Sequence, residues 1–77
     1  MTSDQVHNIL QSAWPECQVK VSGEGAKFHV WVRGERFADL SPVRQQQQVY
    51  ACLQEHISSG AIHAVTMDLG AVDQADG

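Results

Sequence analysis

The sequence predicts an α+β two-layer sandwich in the order helix, strand, strand, helix, strand, with a three-stranded mixed sheet and both helices on one of its faces. Three observations predict it. Two stretches place apolar residues at helical spacing, and each is introduced by a capping residue. Two short segments alternate apolar and polar residues across a glycine-containing turn. The last strand follows a helix, so it rejoins the sheet through a crossover and runs parallel to an earlier strand.

The first helix opens at Thr2 to Gln5, whose Thr-x-x-Gln spacing lets each side chain satisfy an orphan amide of the first turn. Val6, Ile9, Leu10 and Ala13 recur at helical spacing and predict one buried stripe. Trp14-Pro15 ends the helix, because the residue before a proline is pushed out of the helical region. In the segment Cys17–Ser22, Cys17, Val19 and Val21 share one face, while Gln18, Lys20 and Ser22 share the other. A loop over Gly23–Ala26 leads to Phe28, Val30 and Val32, which alternate with His29, Trp31 and Arg33; the pair reads as an antiparallel hairpin closed by Gly34-Glu35. The face that carries His29 and Trp31 reads as the wet side of the sheet.

Ser41-Pro42 starts the second helix, with serine as cap and proline where no amide hydrogen is needed. Val43, Tyr50, Leu53 and Ile57 predict its buried stripe, with Gln46 and Gln47 near the sheet and Gln45 and Gln48 exposed. Ser58-Ser59-Gly60 stops it. Ile62 to Leu69 is the last strand. Residues 1–70 are read as one domain and 71–77 as an acidic flexible tail.

At 77 residues and 8.5 kDa the chain has room for one core. A hydrophobic content of 43% is too rich for a wholly disordered chain, and the longest apolar runs are pairs and triplets, so no membrane span is expected. Five Lys+Arg against nine Asp+Glu give a net charge of −4, which argues against generic polyanion binding. No basic-then-apolar leader opens the sequence, and two cysteines are too few for a disulfide framework, so the cytoplasm is the expected compartment. The sequence has no Gly-x-Ser-x-Gly, P-loop or His-Glu-x-x-His, and an enzyme is not expected. No cysteine or histidine pair has zinc-finger spacing. Cys17 and Cys52 read as structural, and His7 and His56 as solvated helix positions. His63 stands apart, at the start of the last strand, where an imidazole projects from the end of a sheet.

Phe28-x-Val30-x-Val32, Phe37, Ser41-Pro42-Val43, Val49-Tyr50 with Leu53, and Ile62-His63-Ala64-Val65 follow one another in an order and spacing that resembles the BolA family. The stretch from Val19 to Phe28 looks like its shorter, YrbA/IbaG-type bacterial branch. The resemblance implies a class II KH-like arrangement. It also implies a cytoplasmic monothiol glutaredoxin as partner, in a heterodimer that shares a [2Fe-2S] cluster, with no cofactor in the isolated protein. His63 occupies the position of the family's iron ligand, and Lys27, His63 and Ala64 are the contact residues it suggests. The glutaredoxin cysteine and a bound glutathione supply the opposite ligands. The family's second ligand is a cysteine or histidine in the hairpin loop; Ser22 to Lys27 contains neither, which leaves His29 as a weaker candidate. The alternative is a DNA-binding regulator of the BolA type acting through the second helix, with Arg44, Gln45 and Gln48 at the contact. There the family's basic run is replaced by Arg44 and four glutamines, and residues 41–77 set one arginine against Glu55, Asp68, Asp73 and Asp76. A homodimer formed through an exposed strand edge is a further expectation.

Overall fold

The computed structural model describes residues 1–72; residues 73–77, the greater part of the expected acidic tail, lie outside the described residues. Helix α1 (Ser3–Ala13) forms because its first turn is closed at both orphan amides: Gln5 N donates to Thr2 Oγ1 at 3.2 Å and Thr2 N to Gln5 Oε1 at 2.8 Å. Its buried residues are Val6 and Leu10, with Ile9 packed alongside. Ala13, expected in the stripe, is exposed, because the helix ends there and the chain turns away at Trp14.

Strands β1 (Gln18–Glu24) and β2 (Lys27–Arg33) pair antiparallel from Gln18↔Arg33 to Glu24↔Lys27. The hairpin loop is therefore only Gly25–Ala26, shorter than the Gly23–Ala26 loop expected. Gly25 has φ +68°, the sign that a tight two-residue turn requires at its first position. Gly23 stays in the ladder at φ +114°, where a Cβ would collide with the Lys27 carbonyl. Beyond β2 a single 3₁₀ turn (Glu35–Phe37), not anticipated in the sequence, swings Phe37 into the core, where it is fully buried.

Helix α2 (Pro42–Ser58) is capped by Ser41, whose Oγ accepts from Arg44 N at 3.3 Å. Its buried side chains are Val49 and Leu53, with Cys52 and Ile57 half-buried. Val43 and Tyr50 belong instead to the solvent side, at 63% and 43% exposure. The glutamine expectation is also overturned, at Gln45 and at Gln47. Gln45 is half-buried and its Nε2 donates to Phe37 O at 3.0 Å and Leu40 O at 3.1 Å, whereas Gln46, Gln47 and Gln48 are exposed. Gly60, at φ +85°, follows the last turn, and Ile62 N returns to His56 O at 3.0 Å.

Strand β3 (Ala64–Gly70) begins two residues later than expected and pairs parallel with β2 from Lys27↔Ala64 to Arg33↔Gly70. The sheet order is β1-β2-β3, a three-stranded mixed sheet as predicted. Val19, Phe28, Val30 and Val32 face Val6, Leu10, Phe37, Val49 and Leu53 in one core beneath both helices. The opposite face is open to water. There Trp31 is half-buried between Lys20 (Nζ to ring centroid 4.6 Å) and Arg33 (4.8 Å), and Arg33 bonds Asp68 Oδ1 at 2.8 Å. Among the described residues no helix is long and apolar enough to cross a membrane.

The two irregular segments on either side of the hairpin pack on each other. Trp14 meets Phe37 edge-on at 5.5 Å, and Gly34 passes so close to Cys17 that a Cβ there would overlap its Sγ. Gly34 has an extended backbone, so a substitution acts through packing alone. Gly34→Ala is expected to cost about 1–3 kcal/mol in urea denaturation, the usual size of an overpacking penalty. Adding Cys17→Ala should return part of that loss. A double variant that is destabilised by the sum of the two single effects would contradict this contact.

Candidate functional site

The residue before His63 and the residue after it are both held. Ile62 is 2% exposed in the core, and Ala64 enters the sheet opposite Lys27. The backbone between them is fastened to the hairpin: Ala26 O accepts from His63 N at 2.8 Å and from Ala64 N at 3.2 Å. With both neighbours fixed, the His63 side chain is left exposed at the end of the sheet, beside the Gly25–Ala26 turn. Lys27 and Ala64, the other contact candidates, are paired in register at this same rim and are also exposed. The structure thus brings Lys27, His63 and Ala64 together.

It does not bring His29 level with His63. His29 lies opposite Thr66, two rows into the sheet, and its Nδ1 is 2.7 Å from Thr66 Oγ1. Three residues of strand separate the His63 and His29 levels, about 10 Å at the usual rise. An iron–nitrogen bond of roughly 2 Å does not span that gap. Among the described residues no group of three or more His, Cys, Asp or Glu is placed to hold a metal ion. Two imidazoles, His29 and His63, are exposed, and they stand at different levels of the sheet.

A shallow groove of about 310 Å³ extends from the rim along the open sheet face, lined by Ser22, Lys27, His29, Ala64 and Thr66. Its rim end is formed by Lys27 and Ala64, the residue that follows His63. Sequence reasoning did not find this groove, which exists only because the parallel register sets Thr66 beside His29.

This arrangement of one hairpin and one crossover helix has known counterparts. A family model described as "BolA-like protein" matches residues 3–74. The chain belongs to the BolA-like family. It is 39% identical over 67 residues to the acid stress protein IbaG of Escherichia coli (strain K12), covering 87% of this chain and 80% of that protein. A protein from the rpoN–murA intergenic region of Acinetobacter guillouiae is 43% identical over 67 residues, with 87% and 81% covered. In fold the chain is similar to a BolA homologue from Coxiella burnetii, with a TM-score of 0.85, 22% identity, and 100% and 99% of the two chains covered. The similarity to IbaG agrees with the bacterial branch named from the hairpin sequence.

The α2 candidates separate in the same framework. Arg44 and Gln48 are exposed, but Gln45 has given both amide hydrogens to backbone carbonyls and is not free to read a base edge. His7 and His56, expected as solvated, are half-buried against their helices' neighbours. Neither cysteine resembles a ligand poised for a cluster. Burial pushes the Cys17 thiol above the ordinary 9.0, reinforced by the Glu16 carboxylate, and burial does the same at Cys52.

A thiol proton held more tightly in the folded state stabilises the fold fully below the ordinary thiol value and loses that contribution as pH rises past 9.0. The urea midpoint is therefore expected to fall between pH 8 and pH 10.5, and to fall less in a Cys17→Ala/Cys52→Ala variant. Equal slopes for the two proteins would remove the thiols from this account.

Proposed function

We propose that this BolA-like protein is a non-enzymatic accessory factor that docks a cytoplasmic monothiol glutaredoxin and takes part in the handling of an iron–sulfur cluster. The observation that carries the reading is His63, an exposed imidazole whose backbone is clamped to the hairpin carbonyl of Ala26. Such an imidazole is pre-positioned, so little conformational entropy is lost when a second protein reaches it. Lys27 and the groove beside it supply the rest of the docking surface. A [2Fe-2S] cluster held between the two proteins takes one ligand, His63, from this chain. Its remaining ligands come from the partner's cysteine and bound glutathione. Imidazole ligation on one iron raises the potential of such a cluster relative to an all-thiolate set. The name of the Escherichia coli relative ties that protein to acid stress, and we carry the same setting to this chain.

Docking and cluster ligation are separable by experiment. Titration of apo-glutaredoxin, read by calorimetry, is expected to show binding by wild type that is roughly tenfold weaker in Lys27→Glu, the size of effect a rim charge reversal brings. Mixing cluster-loaded glutaredoxin with wild type under anaerobic conditions is expected to change its visible circular dichroism. The His63→Ala variant should leave that spectrum as it is in glutaredoxin alone while still binding the apo-partner. Wild type that neither binds nor alters the spectrum would end the proposal.

A further inference from the structure

Helix α2 carries two stripes. One contains Gln45, Val49, Cys52, Leu53 and His56 and turns toward the protein. The other runs Val43, Gln47, Tyr50, Gln54, Ile57, spaced alternately by four and three residues, the seam spacing of a coiled coil. Val43 and Tyr50 are two of the three exposed large hydrophobic residues among the described positions. Gln47, Tyr50, Gln54 and Ile57, with Ala51, line a shallow groove of about 310 Å³ on the solvent side of α2. No residue of the seam is charged, although the chain as a whole is at −4.

The charges of α2 lie on the flank of this seam. Arg44 near the start and Glu55 near the end are its single arginine and single carboxylate. Eleven residues separate them, about 16 Å along the axis and close to a whole number of turns, so they share one flank. Both are exposed, and neither enters a salt bridge among the described residues.

We infer that this face joins two copies of the chain, with α2 packed antiparallel against α2 about a two-fold axis near residue 49. In that orientation Arg44 of each copy meets Glu55 of the other, twice per dimer, and the helix macrodipoles oppose. Tyr50 packs against Gln47 of the second copy and Val43 against Gln54. In a parallel pair the Arg44–Glu55 flanks of the two copies would lie on opposite sides of the seam, and neither charge would find its partner. The uncharged seam brings no like charges of an acidic chain into the contact. This surface uses neither His63 nor the hairpin rim, so it stands independently of the glutaredoxin reading. One helix pair is smaller than a standard interface, so the association is reversible, with a dissociation constant on the order of 10–100 µM.

Sedimentation equilibrium across about 10 µM to 1 mM brackets that range and is expected to show wild type passing from monomer to dimer. Tyr50→Glu, which buries a charge in the seam, should remain monomeric with an unchanged far-ultraviolet circular dichroism spectrum. Arg44→Glu and Glu55→Arg should each weaken the dimer roughly tenfold, since every single reversal replaces two attractive pairs by two repulsive ones. The double reversal should restore wild-type affinity. Wild type that stays monomeric throughout overturns the inference, as does a Tyr50→Glu variant that dimerises normally. A double reversal as weak as the single variants overturns the antiparallel pairing.

Discussion

The parallel register between β2 and β3 is the constraint on which the rest of this molecule depends. Phe28 pairs with Val65 and Val30 with Met67, so the apolar residues of both strands fall on the helix side. A slip of one residue would turn β3 over and bring Thr66 and Asp68 into the core. The same register decides the chemistry of the rim. With Lys27 opposite Ala64, the chain just before β3 passes the hairpin turn, and the Ala26 carbonyl collects both the His63 and Ala64 amides. The core and the candidate site are thus set by one pairing.

The two connecting segments that flank the hairpin are held by side-chain amides in addition to their own backbone hydrogen bonds. Gln11 Nε2 donates to Trp14 O at 3.0 Å and Cys17 O at 2.9 Å, closing the turn from α1 into β1. Gln45 does the same for Phe37 and Leu40 ahead of α2. Both turns then meet through Trp14 and Phe37, with Arg36 over the Trp14 ring at 5.1 Å and bonded to Glu16 at 3.1 Å. A half-buried carbonyl left without a partner is costly, so these two glutamines belong to the architecture. That is why the glutamine-rich part of α2 divides between one structural residue and an exposed polar run.

The open sheet face shows how an acidic chain keeps its cations. Lys20, Lys27 and Arg33 all lie on this side of the strands, with Trp31 covered by two of them and Arg33 tied to Asp68. Arg33 is buried and its Nε has no hydrogen-bond partner; the guanidinium lies over the indole, which compensates through its π face. Trp31 is therefore partly covered by Lys20 and Arg33, and the groove beside Lys27 and His29 lies at the hairpin end of the same face.

Much of this was legible because it is local. The Thr2–Gln5 capping box, the Ser41-Pro42 start, the alternation of Phe28, Val30 and Val32, and the helical crossover each depend on neighbours within a few residues, and the sequence alone carried them to the element order and the mixed sheet. The exposure of His63 was legible for the same reason, since it follows a helix stop and precedes a strand. What the sequence did not contain is the direction in which α2 rolls. Val43, Tyr50 and Val49 all fit a helical period, and only docking against the sheet selected Val49 and Leu53 for the core and left Val43 and Tyr50 outside. Gln45 as a clasp, the close passage of Gly34 over Cys17, and the separation of His29 from His63 likewise join residues distant in sequence or across strands. Periodicity reports which residues share a face, but the face that is buried is decided by the whole chain packing around one core.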